Sequence, residues 1–280
     1  MSAVRIIPRL DIKGPNLVKG IHLEGLRVLG NPSDFAKYYY ENGADELIYQ
    51  DVVASLYERN SLHDIISKTA KQVFIPITVG GGLRSIDDIR NVLRAGADKV
   101  SLNTAAIKNP KLIKEASLKF GSSTIAIAIE AIKQTNGDYL AYIDNGREET
   151  GINAVSWAKQ VEELGAGEIV ITSVDKDGTG LGYDIELIKL ITDAVNIPVI
   201  AHGGPGKIED VAQAVTIGGA HAVSVASVIH YDFIQKFEFK KQAGEGNTEF
   251  LKGGKSFSKI NACSITDIKS HFKKCGIKTR

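Results

Sequence analysis

The first half of this chain is repeated in its second half. Asn42-Gly-Ala-Asp-Glu-Leu-Ile returns as Leu164-Gly-Ala-Gly-Glu-Ile-Val, an offset of 122 residues. Ile75-Pro-Ile-Thr-Val-Gly-Gly-Gly82 returns as Ile197-Pro-Val-Ile-Ala-His-Gly-Gly204 at the same offset, and Gly96-Ala-Asp-Lys-Val-Ser as Gly219-Ala-His-Ala-Val-Ser at 123. Near-constant offsets across successive segments describe one half-fold duplicated, each half presenting an apolar face that the other must cover. Two separate domains would need a linker near residues 121–150. The polar stretch Gln134–Thr150 instead runs directly into the next helical pattern, so residues 1–280 are read as one domain.

Short β-branched runs alternate with longer amphipathic ones. Strands are expected over Arg5–Ile12, Glu46–Asp51, Val73–Val79, Lys99–Leu102, Thr124–Ile129, Glu168–Ser173, Pro198–Ala201 and Ala222–Ala226. Each is nearly continuous in apolar character, as strands buried on both faces are. Helices are expected over Pro32–Asn42, Ser61–Lys71, Ser85–Ala95, Pro110–Phe120, Ala154–Leu164, Asp184–Ala194 and Lys207–Ile217, with Ser85 and Asp184 as capping residues. Eight strand–helix units make a (β/α)8 TIM barrel built from two similar half-barrels. A Gly- and Lys-rich insertion at about 240–262, read as a surface segment, precedes a terminal helix over Ile265–Lys274. The loop Lys13–Pro32 carries Gly14, Gly20, Gly25 and Gly30 and is read as a segment able to close over substrate.

A formal net charge of +1 gives no basic face for nucleic acid. The two cysteines, Cys263 and Cys275, have no metal spacing and form no disulfide framework. No metal and no cofactor are expected. The chain enters its first strand with no apolar leader and has no run long enough to span a membrane. A cytoplasmic protein whose partners are small molecules or another protein is expected.

In such a barrel the carboxyl ends of the strands build the site. Asp11 and Glu130 end the first and fifth strands, and two carboxylates at one mouth can divide acid and base roles. Gly80-Gly81-Gly82 and Gly203-Gly204 end the third and seventh strands, where glycine lets backbone N–H groups approach an anion. Asn103-Thr104 and Ser227 follow the fourth and eighth. Each half is thus expected to form a phosphate cradle, and a substrate with a phosphate at each end fits the pair. Lys19, Asp51, Thr172 and Asp177 complete the expected substrate-binding set. Gly178-Thr-Gly180-Leu-Gly182 is read as a flexible active-site loop, because it lacks the full glycine spacing of a nucleotide fingerprint. His202 lies beside the second cradle, where a phosphate contact and a structural hydrogen bond are both open.

Arg5-Ile-Ile-Pro, Leu10-Asp-Ile-Lys, Leu17-Val-Lys-Gly, Asn42-Gly-Ala-Asp-Glu-Leu, Phe74-Ile-Pro-Ile-Thr-Val-Gly-Gly-Gly, Ala95-Gly-Ala-Asp-Lys-Val-Ser and Ser173-Val-Asp-Lys-Asp-Gly-Thr resemble the cyclase subunit of imidazole glycerol phosphate synthase of histidine biosynthesis. The resemblance runs from Arg5 to about Tyr231 and resumes in the last helix. It implies a barrel that takes ammonia from a glutaminase partner and converts a bis-phosphorylated ribulosyl formimino carboxamide ribotide to imidazole glycerol phosphate and aminoimidazole carboxamide ribotide. It matches Asp11 to the family's first catalytic aspartate, and Gly82, Asn103, Thr104, Gly204 and Ser227 to phosphate positions. Arg5, Glu46, Lys99 and Glu168 match an ammonia gate on the opposite face, and Asp98 a partner-docking position. Such a ring can also simply close the floor by internal pairing. Three positions depart from the pattern: Glu130 where the family has aspartate, His202 where serine is usual, and Arg9 where cysteine is common. They keep open a paralogue that uses glutaminase-derived ammonia to amidate another acceptor, such as a surface-polysaccharide sugar, and an inactive glutaminase-binding barrel.

Overall fold

The computed structural model describes residues 3–54, 62–236 and 259–280. Ser61 and residues 240–258 of the insertion, both included in the sequence reading, lie outside the described residues. Twelve strands are numbered here along the chain. Eight of them, β1 (Arg5–Lys13), β4 (Leu47–Asp51), β5 (Ile77–Gly80), β6 (Lys99–Leu102), β7 (Ile125–Lys133), β10 (Glu168–Ser173), β11 (Val199–His202) and β12 (Ala222–Val225), run parallel. Pairing of β1 with β12 and of β7 with β10 closes them into a barrel, with helices between successive strands. This is the expected (β/α)8 fold. The third strand starts later than expected, at Ile77.

Alternation along each strand separates two cores. On β1, Ile6, Leu10 and Ile12 join the large core under the helices, whereas Ile7 joins a small lumen cluster with Ile48, Ala128, Val170, Ile200 and Ala222. Arg5 and Arg9 share the inward phase of Ile7, one step to either side of this apolar belt. The helices pack outside it. Phe35 and Tyr39, four residues apart on α1 (Pro32–Glu41), are fully buried, and Phe35 lies 4.2 Å from Phe233, ring centroid to centroid. Each such aromatic contributes about 1.5–3 kcal/mol by burial. The expected cap at Ser85 is present, reciprocated by Asp88, and Asp184 accepts from the Leu187 N–H. The terminal helix spans Ile265–Lys274 as read from the sequence.

Two segments read as irregular are hairpins. Lys13–Pro32 holds β2 (Asn16–Ile21) and β3 (Glu24–Gly30), antiparallel to each other and, through β2, to β1. The polar stretch after β7 holds β8 (Tyr139–Ile143) and β9 (Glu148–Asn153), built on β7 in the same way. The glycines of the first hairpin serve its turns and close approaches. Gly14 turns at φ +61°, and a Cβ on Gly20 would stand 1.9 Å from the Glu24 carbonyl oxygen. Both tips pass through paired left-handed residues, His22-Leu23 and Asp144-Asn145, the geometry that suits a tight hairpin. The tips meet, the Asn145 side-chain amide donating to the Leu23 carbonyl at 2.8 Å. The Gly178–Gly182 segment, read as a flexible loop, packs on this assembly. His22 N–H donates to the Asp177 carbonyl at 2.8 Å, and a Cβ on Gly178 would meet the Gly20 carbonyl.

Candidate active site

Asp11 and Glu130 lie on matching strands, not at their ends as expected, because β1 and β7 run on to Lys13 and Lys133 into the hairpins; both acids are within electrostatic reach of Arg9. Their surroundings differ. Asp11 accepts from Arg9 Nε at 2.8 Å and has Lys19 Nζ at 3.7 Å, all three nearly fully buried. Burial alone would raise its proton affinity, but the two cations outweigh burial and hold Asp11 below the ordinary carboxylate range. Glu130 accepts one hydrogen bond, from the Gly146 N–H at 2.8 Å. Burial pushes it up to about 7, against the opposing pull of Arg9 and of that N–H. Two carboxylates at one repeat position are therefore driven apart, one ionised and one titrating near neutrality, as an acid–base pair requires.

Lys19 does not hang from an open loop. It sits on β2 and donates to both Asp177 oxygens, at 3.0 and 2.8 Å. His202 Nδ1 lies 3.3 Å from Arg9 Nη1 and 3.1 Å from Thr172 Oγ1. A guanidinium can only donate, so Nδ1 accepts and the ring proton stands on Nε2, which faces Asp177 at 3.9 Å. Burial, with Arg9 and Lys19 close by, holds His202 well below the ordinary imidazole value and leaves it neutral. It makes the structural hydrogen bond and also lines the second glycine turn.

The two glycine turns are unequal. Gly81 and Gly82, with Asp51, Asn103, Thr104 and Glu130, line a cavity of about 330 Å3. Asn103 donates to the Tyr142 carbonyl at 3.3 Å, its side-chain oxygen is buried without a partner, and Thr104 pairs with Asp144 at 3.3 Å. Gly203, Gly204 and Ser227, with Lys19, Asp177 and His202, enclose only about 10 Å3. There the chain packs on itself: Gly182 N–H donates to the Gly204 carbonyl at 2.9 Å, and a Cβ on Gly204 would stand 2.2 Å from the Gly182 oxygen. Thr104 and Ser227, read as strand ends, are the first residues of the helices α4 (Thr104–Lys108) and α9 (Ser227–Lys236).

At the other end of the lumen, Arg5 bridges Glu46 at 2.8 Å and Glu168 at 2.9 Å, and Lys99 bridges the same two at 3.3 and 2.5 Å. The four alternate in sign around the floor. Burial opposes ionisation of Glu168, but Arg5 and Lys99 outweigh it and hold its carboxyl low. Asp98 is exposed on this face and accepts from the Ile77 N–H at 2.9 Å. Among the described residues, no group of three or more His, Cys, Asp and Glu side chains is arranged to hold a metal ion, and no helix is long and apolar enough to cross a membrane.

Asp144, Asn145 and Gly146 also line or brace the mouth and were absent from the sequence reading. Asn145-Gly146 is itself a strong hairpin signal. Arg84 and Lys108, at the rim of the larger cavity, carried no signal of their own.

A family model described as histidine biosynthesis protein matches residues 5–235. A Legionella pneumophila protein named imidazole glycerol phosphate synthase subunit HisF is 59% identical over 210 residues, covering 75% of this chain and 99% of the relative. The Methanocaldococcus jannaschii protein of the same name is 49% identical over 264 residues, 88% of this chain and 97% of the relative. That of Prochlorococcus marinus is 52% identical over 232 residues, 82% and 90% of the two chains. With the closed barrel and a match that takes in all eight of its strands, the chain belongs to the histidine biosynthesis protein family.

Proposed function

We propose that the chain is the ammonia-dependent cyclase subunit of imidazole glycerol phosphate synthase, acting in the cytoplasm as one barrel domain. It converts the bis-phosphorylated ribulosyl formimino carboxamide ribotide to imidazole glycerol phosphate and aminoimidazole carboxamide ribotide. The observation that carries this reading is the pair Asp11 and Glu130, of opposite proton affinity, at one end of a lumen whose other end is the charged ring of Arg5, Glu46, Lys99 and Glu168. Ammonia attack on the ribulosyl carbonyl leaves negative charge on oxygen and positive charge on nitrogen. Glu130 in its protonated form supplies the proton to oxygen, and ionised Asp11 takes one from nitrogen. The 330 Å3 cavity beside Glu130 takes one phosphate through Gly81, Gly82, Asn103 and Thr104. The other phosphate belongs at Gly203, Gly204 and Ser227, which must part to admit it. A glutaminase subunit docked on the floor near Asp98 feeds ammonia through the ring, and one of its four bridges must open for each molecule.

Each relative named above carries the name imidazole glycerol phosphate synthase subunit HisF, which favours this reading over a sugar-amidating paralogue or an inactive barrel. The test is to incubate the purified chain with the bis-phosphate substrate and ammonium salt and assay both products. Turnover that is lost in Asp11→Asn and kept in Glu130→Asp supports the assignment. Absence of turnover in both the wild type and Glu130→Asp overturns it.

A further inference from the structure

Five buried side chains form a closed ring beside Asp11. Asp11 meets Arg9 at 2.8 Å, Arg9 meets His202 at 3.3 Å, His202 faces Asp177 at 3.9 Å, Asp177 binds Lys19 at 2.8 Å, and Lys19 returns to Asp11 at 3.7 Å. The closing link is long in sequence, since Arg9 and His202 stand 193 positions apart. Glu130 is outside the ring, on a single backbone hydrogen bond. His202 is neutral, so the ring's charges are two cations, Arg9 and Lys19, against two anions, Asp11 and Asp177. Without His202 the Arg9 fork would keep Asp11 but lose its second anchor, and a buried guanidinium with one fixed partner can rotate about its stem.

We propose that Arg9 and His202 act together as positioning residues, closing a buried ring that pins the Asp11 carboxylate between two fixed cations and leaves Glu130 as the acid at the mouth free to move a proton. The pair acts on the reaction through Asp11 and does not itself touch the reacting atoms. Asp11 is faced by Arg9 from its own strand, Lys19 from β2 and neutral His230 from α9; Glu130 is faced by Arg9, Asp11, Asp144 and the Gly146 N–H. Arg9 is the member common to both lists, so its loss should move the two acids in the same direction, toward higher proton affinity. The effect should be larger at Asp11, where the contact is direct.

This inference rests on Asp11 and Glu130 being the reacting pair, but its test needs no turnover. The full chain, labelled with ¹³C at the aspartate and glutamate side-chain carboxyls, is titrated by NMR, the two signals being assigned with Asp11→Asn and Glu130→Gln. Arg9→Met should raise the Asp11 midpoint by about one to three pH units, the size expected for losing an adjacent opposite charge. His202→Ala should raise it by less in the wild type and by less still in Arg9→Met, because the shorter of its two routes to Asp11 passes through Arg9. Arg9→Lys, which keeps the charge but not the fork, should fall between wild type and Arg9→Met, and it reports if Arg9→Met does not fold. An Asp11 midpoint unmoved in both Arg9 variants overturns the proposal, as does an equal His202→Ala effect in the two backgrounds. Shifts as expected in a chain that shows no cyclase turnover would sink the proposed function and leave the ring intact.

Discussion

Asp11 and Glu130 occupy corresponding places in two copies of one half-barrel, yet they are opposites. One is clasped by Arg9 and Lys19; the other, with Arg9 opposed by Asp11 and Asp144 around it, has no cation in direct contact and lies at the edge of a large cavity. The glycine turns differ in the same sense, about 330 Å3 of space in the first half and about 10 Å3 in the second. Duplication kept the backbone, down to a hairpin after the first strand of each half, and differentiation fell on side chains facing the lumen. Two equal acids in equal settings could not divide a proton between them; unequal settings let one fold hold a base and an acid at the same pH.

The sharpest way to break this comparison is to neutralise each acid in turn. Asp11→Asn and Glu130→Gln should each lower kcat by ~10²–10⁴-fold, the range of a lost general acid or base, measured with saturating ammonium salt on protein shown by circular dichroism to be folded. The stability of the two variants should diverge. Burial raises the folded-state value of Glu130 to about 7, so its stabilising contribution is full below the unfolded value near ~4.3 and lost as pH rises through about 7. Glu130→Gln should therefore unfold at higher urea than wild type at pH 8, by a few kcal/mol. Asp11→Asn strands Arg9 and Lys19 and should unfold at lower urea. Equal behaviour of the two variants would erase the distinction.

Next in size is the floor. Arg5→Ala leaves Glu168 with Lys99 and Glu46 with Lys99 and, at 3.9 Å, Arg280, and loss of one member of a buried pair costs about 3–5 kcal/mol, readable as a lower urea midpoint. The turns give a smaller effect. Thr104→Val should raise KM for the bis-phosphate substrate by roughly 10-fold, the worth of a hydrogen bond to a charged group. Inorganic phosphate alone should protect the first cavity before the second, since only the first is open. The smallest effect belongs to the surface pair Lys189–Asp193, exposed at both ends; Lys189→Ala should change stability by less than about 0.5 kcal/mol.

Much of the scaffold was legible in the sequence because it obeys local rules. Strands such as β7 open on continuous apolar runs, here residues 125–129, and Ser85 with Asp88 is a capping signal that works within four residues. The hairpins escaped for a specific reason. Gly14, Gly20 and Gly25 look like a mobile loop until one sees that Gly20 lies against the Glu24 backbone, a contact composition does not display. Asp11 and Glu130 were read from their place after apolar runs, and the four floor residues from the family resemblance. The collapse of the second glycine turn was not legible, because it depends on Gly204 packing against the Gly182 backbone, a contact the local sequence does not display. The Arg9–His202 contact links two residues that stand out separately in the chain, and nothing local pairs them.

The account depends on Glu130 carrying its proton at the pH where Asp11 has lost its own. The most direct measurement is kcat against pH at saturating free ammonia, for wild type and Glu130→Gln. The wild type should lose activity as pH rises through about 7, and the residual activity of Glu130→Gln should show no such limb. A limb of the same midpoint in both proteins, or wild-type activity still level well above that pH, would contradict it.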